Sequence, residues 1–329
     1  MTLSLSSPAG RHAPADRRLW RVRLAICWAA VAVCVPYLTL KAIWIAGGNV
    51  GLTGADRGEM HEGSVVAANV VTAAMDLAGA AVALAFTYRW GRRIPAWLVL
   101  VPIWVGTGLL APFAVGLPLG LLVQAIAGGS PVPASGDGDA LHTWVFAVVY
   151  GGFVLQAVLL LAAFTLHART RWPELFELRT RDLPKGLTHP LQVLFANGSA
   201  AVAVLSGAVQ IAWAVTGGRL GGDAAFETAA QRTFVFVGGT LAFVAAAGIL
   251  ALVHRWGRGS LRGPLTAAWT GAGALFSWGL FGAGGEGFGA AVHTFTTVAG
   301  LLMGVAGALA LIEGTGRSDK DRHSGVGGR

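Results

Sequence analysis

Eight apolar runs, each about as long as a bilayer is thick, constrain this chain before any motif is considered. They lie near residues 24–46, 65–88, 97–125, 141–166, 191–215, 233–253, 265–283 and 292–312, and runs of this length predict membrane-spanning helices. Composition agrees: 54% of residues are hydrophobic and 12% charged, where a soluble domain carries roughly a quarter charged positions. Lipid is therefore the expected solvent for most of the chain. The formal net charge of +8 does not imply nucleic acid, because the cations sit in short segments between apolar runs, where membrane topology accounts for them.

The chain also echoes itself. Arg89-Trp90-Gly91-Arg92, followed by Pro95, Trp104 and Gly106, is answered by Arg255-Trp256-Gly257-Arg258, followed by Pro264, Trp269 and Gly271. Ala140-Leu141-His142-Thr143 is answered by Ala291-Val292-His293-Thr294. The expectation is an all-α polytopic membrane protein of eight transmembrane helices in two tandem four-helix halves, residues 24–167 and 191–313, joined by a cytoplasmic linker at 168–190. Four spans per half is an even number, so the halves should point the same way, related by an axis along the membrane normal.

Charge orients the bundle. Of the 24 Lys and Arg residues, only Lys41, Arg57, Arg219 and Arg232 fall on one side of this eight-span path, so the other side, with both termini, is predicted to be cytoplasmic. Residues 1–23 then form a basic cytoplasmic tail and 314–329 a disordered one. The apolar run from Leu24 is of spanning length and no small-residue cleavage site follows it, so a spanning helix rather than a cleavable signal is expected there. The outer loops carry Asp56, Glu59, Glu62, Asp137, Asp139, Asp223, Glu227 and Glu286, and Gly128–Gly136 reads as a flexible outer loop. Pro112 and Pro118 should kink or break the third span. Cys27 and Cys34, seven apart on one helix, read as small packing residues that cannot bond to each other.

Asp76 is the outstanding candidate for function. It falls near the middle of the second span, where an acid costs about 2.5–3.5 kcal/mol on insertion scales and needs a partner or a proton. Asn69, two turns outward, and Lys41, on the first span, are the polar groups within expected reach. The position aligned with Asp76 in the second half is Ala242, so the acid belongs to one half alone. A structural contact and a proton-coupled or ligand-binding role are both open.

His61, His142 and His293 form a second set, all expected at the outer ends of helices. Imidazoles at one depth on neighbouring helices can ligate haem iron or a transition metal, with Glu59, Glu62 and Glu286 as possible neighbours. Glu227 stands where the other half would need its counterpart of His61. This outline resembles haem A synthase in its eight spans, its two four-helix halves and its histidines at outer helix ends, and that resemblance implies haem at these residues. The paired loop cysteines of that family are absent, as is one of its four histidine positions. Capping of helix ends is the structural alternative for each of the three.

The Arg-Trp-Gly-Arg segments, with His167, His189 and His254, read as interfacial anchors on the basic side, a phosphate headgroup being the functional alternative. There is no phosphate-binding glycine loop, no Gly-x-Ser-x-Gly elbow, no His-Glu-x-x-His pair and no Cys-x-x-Cys. Tyr37–Gly48, Arg89–Leu100 and Val145–Phe153 resemble segments of a group of actinobacterial multi-pass membrane proteins that carry no assigned activity. The resemblance implies a bacterial plasma-membrane location and brings no catalytic residues with it. The expectation is a non-enzymatic membrane protein, a small-molecule permease or binding component with Asp76 facing a cavity between the halves, needing no cofactor and no nucleic acid. A haem- or metal-binding redox protein and a structural or immunity-type protein are the alternatives.

Overall fold

In lipid a backbone N–H finds no water, so an apolar segment satisfies its own hydrogen bonds by becoming helical. The computed structural model describes residues 13–53, 58, 61–128, 141–217 and 228–324. It contains eight α-helices: α1 (Ala13–Ile45), α2 (Gly63–Thr87), α3 (Ala96–Ile126), α4 (Thr143–Arg171), α5 (His189–Thr216), α6 (Ala229–His254), α7 (Arg262–Gly282) and α8 (Gly287–Ser324). Among the described residues there is no strand beyond two isolated bridges, Leu52 with Leu141 and Arg179 with Ser260. All helices except α7 are long and apolar enough to cross a membrane. The molecule is thus a helical multi-pass membrane protein by length and composition. α7 falls short because glycine, serine and tryptophan occupy positions where its neighbours carry leucine and valine.

Local chemistry sets the helix ends. Thr228 caps α6 by a reciprocal box, its Oγ1 accepting from the Gln231 N–H at 3.2 Å while the Gln231 side chain accepts from the Thr228 N–H at 3.0 Å. Gly217, at φ +67°, closes α5 in the left-handed conformation that glycine adopts without strain. The two Arg-Trp-Gly-Arg segments fold differently. The first is a 3-10 turn, Arg89–Arg93, in which any side chain at Gly91 would strike the Ala85 carbonyl. In the second, Arg255 itself takes the left-handed conformation, at φ +59°, and ends α6.

In three places the helices run further than the apolar runs alone suggest. α3 runs unbroken for 31 residues through Pro102, Pro112 and Pro118. The neighbouring helix packs along it: Trp278 Nε1 donates to the Leu109 carbonyl at 3.3 Å and Ser277 Oγ to the Val105 carbonyl at 3.2 Å. α8 continues to Ser324 where a disordered tail was expected from residue 314, since a helix already nucleated extends at little further cost. For the same reason α1 begins at Ala13, eleven residues before its apolar run. The outer loop beyond Gly128, together with Asp56, Arg57, Glu59, Asp137, Asp139, Arg219, Asp223 and Glu227, lies outside the described residues.

The helices form two quartets with the same order of neighbours. α1 packs on α2 and α4, and α3 on α4 and α2; α5 packs on α6 and α8, and α7 on α6 and α8. α1 and α2, α5 and α6, and α7 and α8 run in opposite directions, as successive contacts require: Lys41 with Asn69 and Arg23 with Phe86, His254 with Asn197 and Gly207 with Gly239, Gly300 with Phe276 and Gly279 with Thr297. α3 joins the quartets by packing on α6 and α7. Glycine makes this contact close, because a side chain on Gly108 would overlap the backbone of Gly273.

The quartets differ most in one gap. In the second, α6 and α7 touch backbone to backbone: a Cβ on Gly271 would stand 2.5 Å from that of Ala245, and one on Gly248 would strike Ala268. In the first, α2 and α3 meet less extensively. Nothing lies within 4 Å of where a Cβ would project from Gly106, the echo of Gly271. The space between α2 and α3 is the cavity described next.

Candidate functional site

Asp76 lies on the buried face of α2, with 6% of its surface exposed, on the wall of a cavity of about 470 Å³. Met75, Gly79 and Val82 of α2 form one side and Ile103, Gly106 and Leu110 of α3 the other. Phe153 and Gln156 of α4 close the back, while Trp278 and Phe281 enter from α7. Most of the cavity wall belongs to α1–α4, with Trp278 and Phe281 of α7 completing it.

Gln156 of α4 and Cys34 of α1 flank the carboxylate. Its Oδ1 accepts from Gln156 Nε2 at 2.6 Å. The same amide nitrogen lies 3.3 Å from Cys34 Sγ, and the Cys34 thiol donates in turn to the Ala30 carbonyl at 3.2 Å. Oδ2 has no hydrogen-bond partner among the described residues. A chain of α1, α4 and α2 side chains thus orients the acid, and Oδ2, itself buried, is left without a hydrogen-bond partner among the described residues.

Lys41 and Asn69 do not complete this site, which corrects the expected approach of Lys41 to the acid. Lys41 Nζ donates to Asn69 Oδ1 at 2.5 Å and lies 5.0 Å from the centre of the Tyr37 ring and 5.3 Å from that of Trp44. Two aromatic faces and an amide oxygen satisfy a buried ammonium without a carboxylate. Register explains the separation: Asn69 sits about two turns from Asp76, roughly 10 Å along α2. The acid and the lysine are each buried and differently partnered.

Aromatic side chains gather at the cavity wall. The Phe113 ring lies 5.3 Å from Phe153, 5.5 Å from Trp278 and 5.1 Å from Phe234. Tyr37 meets Phe153 edge-on at 5.1 Å. Reading spans one at a time missed this group, since an aromatic residue in an apolar run carries no special signal. Gln156, a lone amide inside a run of leucine, valine and alanine, was legible as a polar residue in lipid and is the one signal that could have been followed. Cys34, taken as packing, does pack, but beside the acid.

The three histidines take other positions. His61 is exposed, its Nε2 3.1 Å from Asn49 Oδ1. His142 is the exposed residue preceding α4, and its N–H donates to the Gly51 carbonyl at 2.9 Å. His293 is half-buried against Trp213, with ring centres 6.3 Å apart. Glu62 and Glu286 are exposed. Among the described residues no three His, Cys, Asp or Glu side chains come together as a metal site would require.

A second polar centre, unforeseen in the sequence, locks the linker to α8. Glu313 accepts from the N–H groups of Gly186 and Thr188, from Thr188 Oγ1 and from Gln192 Nε2, at 2.8–3.1 Å. Arg255 donates alongside to the carbonyls of Leu183 and Pro184. These contacts fix the 168–190 connection and face no cavity that includes Asp76.

No protein-family model, curated protein or solved structure matches the chain. The functional reading therefore stands on the geometry.

Proposed function

We propose that the chain is a bacterial plasma-membrane protein that binds a small molecule in the cavity beside Asp76, as a permease or the binding component of one. All eight helices cross the bilayer in this reading, in two like-oriented quartets with both termini in the cytoplasm. Its 21 residues give α7 a length of about 31 Å, enough for the hydrocarbon core. α7 is enclosed by α3, α6 and α8, so small residues serve it better there than leucine. This path brings the basic segments to one face, the distribution a cytoplasmic side carries.

One observation carries the binding role: a buried carboxylate on a cavity wall, with one oxygen held by Gln156 and the other unpartnered among the described residues. An unmet polar atom in lipid costs several kcal/mol, and a polar or charged group on a bound molecule would meet that need at Asp76. The cavity volume falls within the range of small-molecule sites. The test is ligand-induced stabilisation of the purified protein in lipid nanodiscs, screened with amines, amides, alcohols and carboxylic acids. The expected result is a rise in unfolding temperature with at least one class, abolished in Asp76→Asn. A screen that stabilises wild type and Asp76→Asn equally overturns the role of the acid.

A further inference from the structure

The chemistry around Asp76 narrows the ligand class, on the basis of the binding role just proposed. Among the described residues the carboxylate has no cationic partner: Lys41 of α1 is committed to Asn69 and two rings, and Arg23 of α1 donates to the Phe86 carbonyl at the far end of α2. Gln156 supplies a hydrogen bond but no charge. The rest of the wall is apolar or aromatic, with Tyr37, Phe113, Phe153, Trp278 and Phe281 contributing rings.

We propose that the cavity binds a lipophilic organic cation, an apolar or aromatic body bearing one ammonium or other positive centre, with that centre near Asp76. A cation supplies the missing counter-charge and is attracted to the ring faces. An anion would meet an uncompensated carboxylate. A neutral apolar molecule would leave Oδ2 as it stands. The mouth suits the same class: Ala78 of α2, Val101 and Pro102 of α3 and Phe281 of α7 line the cavity and are exposed on the side of the bundle, where the spanning orientation places hydrocarbon. Such a ligand partitions into the bilayer and enters sideways between α2 and α3.

The test compares tetraphenylphosphonium with the uncharged triphenylphosphine oxide, by equilibrium dialysis against wild-type protein in nanodiscs and against empty nanodiscs. Saturable cation binding, about tenfold or more tighter than that of the neutral compound, is expected, and Asp76→Asn should remove the preference while Asp76→Glu keeps part of it. Equal saturable binding of both compounds overturns the cation assignment and leaves the cavity a binding site. Saturable binding of neither compound to wild type overturns the cation assignment as well, and a negative screen across the four ligand classes then removes the binding role too. Should Asp76→Asn fail to yield folded protein, the wild-type comparison still decides, because charge is the principal difference tested.

Discussion

Trp104 Nε1 donates to the main-chain carbonyl of Trp269 at 3.1 Å, so the two tryptophans that follow the echoed prolines meet where the quartets join. Each ring also crosses into the other quartet's surroundings: Trp104 stacks on Phe276 at 5.1 Å and Trp269 on Phe164 at 5.5 Å. The relation is not fully reciprocal, because Trp269 Nε1 has no partner among the described residues. Removing the hydrogen bond alone, in Trp104→Phe, should destabilise by about 1 kcal/mol. Trp104→Ala, which also removes a stacked ring, should cost about 3–5 kcal/mol. Chemical denaturation in detergent reads both, and equal stability of the two variants would contradict the stacking contribution.

Two echoed glycines should behave oppositely. Gly271→Ala places a methyl 2.5 Å from the Ala245 Cβ and close to its backbone, so α6 and α7 must separate and the thermal midpoint should fall by several degrees. Gly106→Ala projects into open space within the cavity wall and should leave the midpoint unchanged or slightly higher, alanine being the better helix former. Paired thermal scans check this, and a larger loss at Gly106 would be inconsistent with the gap between α2 and α3.

Asp76→Leu should cost more stability than Asp76→Asn. Asparagine offers Gln156 the same acceptor oxygen, whereas leucine leaves the buried Gln156 amide with only the weak Cys34 sulfur, a loss of about 1–3 kcal/mol. A urea or SDS unfolding series of wild type and both variants measures the difference.

Glu313→Gln should loosen the linker. The substituted amide has one acceptor oxygen in place of two, so part of the set formed by Gly186, Thr188 and Gln192 loses its acceptor, and the midpoint should drop by about 2–4 °C. Faster limited proteolysis within residues 172–188, with ligand binding at Asp76 unchanged, would place the effect in the linker.

The membrane path has its own check. Reporter fusions at residue 329 and after residue 185 should both report the cytoplasm, and a fusion after residue 285 the outer side. A cytoplasmic signal at 285 would remove α7 from the spans and, with it, the like orientation of the quartets.

Much of this molecule was legible along the chain, and the reason is local. Hydropathy and helix periodicity are properties of 20 consecutive residues, so the runs at 65–88 and 97–125 lie within two residues of α2 and α3 at either end. The inward burial of Asp76 followed from its depth in a run, without any partner being known. Whether the prolines of α3 would interrupt it was not legible locally, because the side chains that bond to that helix, Ser277 and Trp278, lie about 170 residues away.

What the acid touches was decided only in three dimensions. Gln156 is 80 residues from Asp76 and Cys34 is on a third helix, so no window of sequence contains the site. Nor does the echo disclose the cavity: Gly106 and Gly271 are the same residue in matching surroundings, yet one faces open space and the other the backbone of Ala245. The sequence by itself determined that the chain enters lipid as helices and that one of them buries an acid, since solvation acts on each segment separately. The tertiary structure decided which helices close on one another and which stand apart, because that depends on the shapes of surfaces brought together from distant parts of the chain.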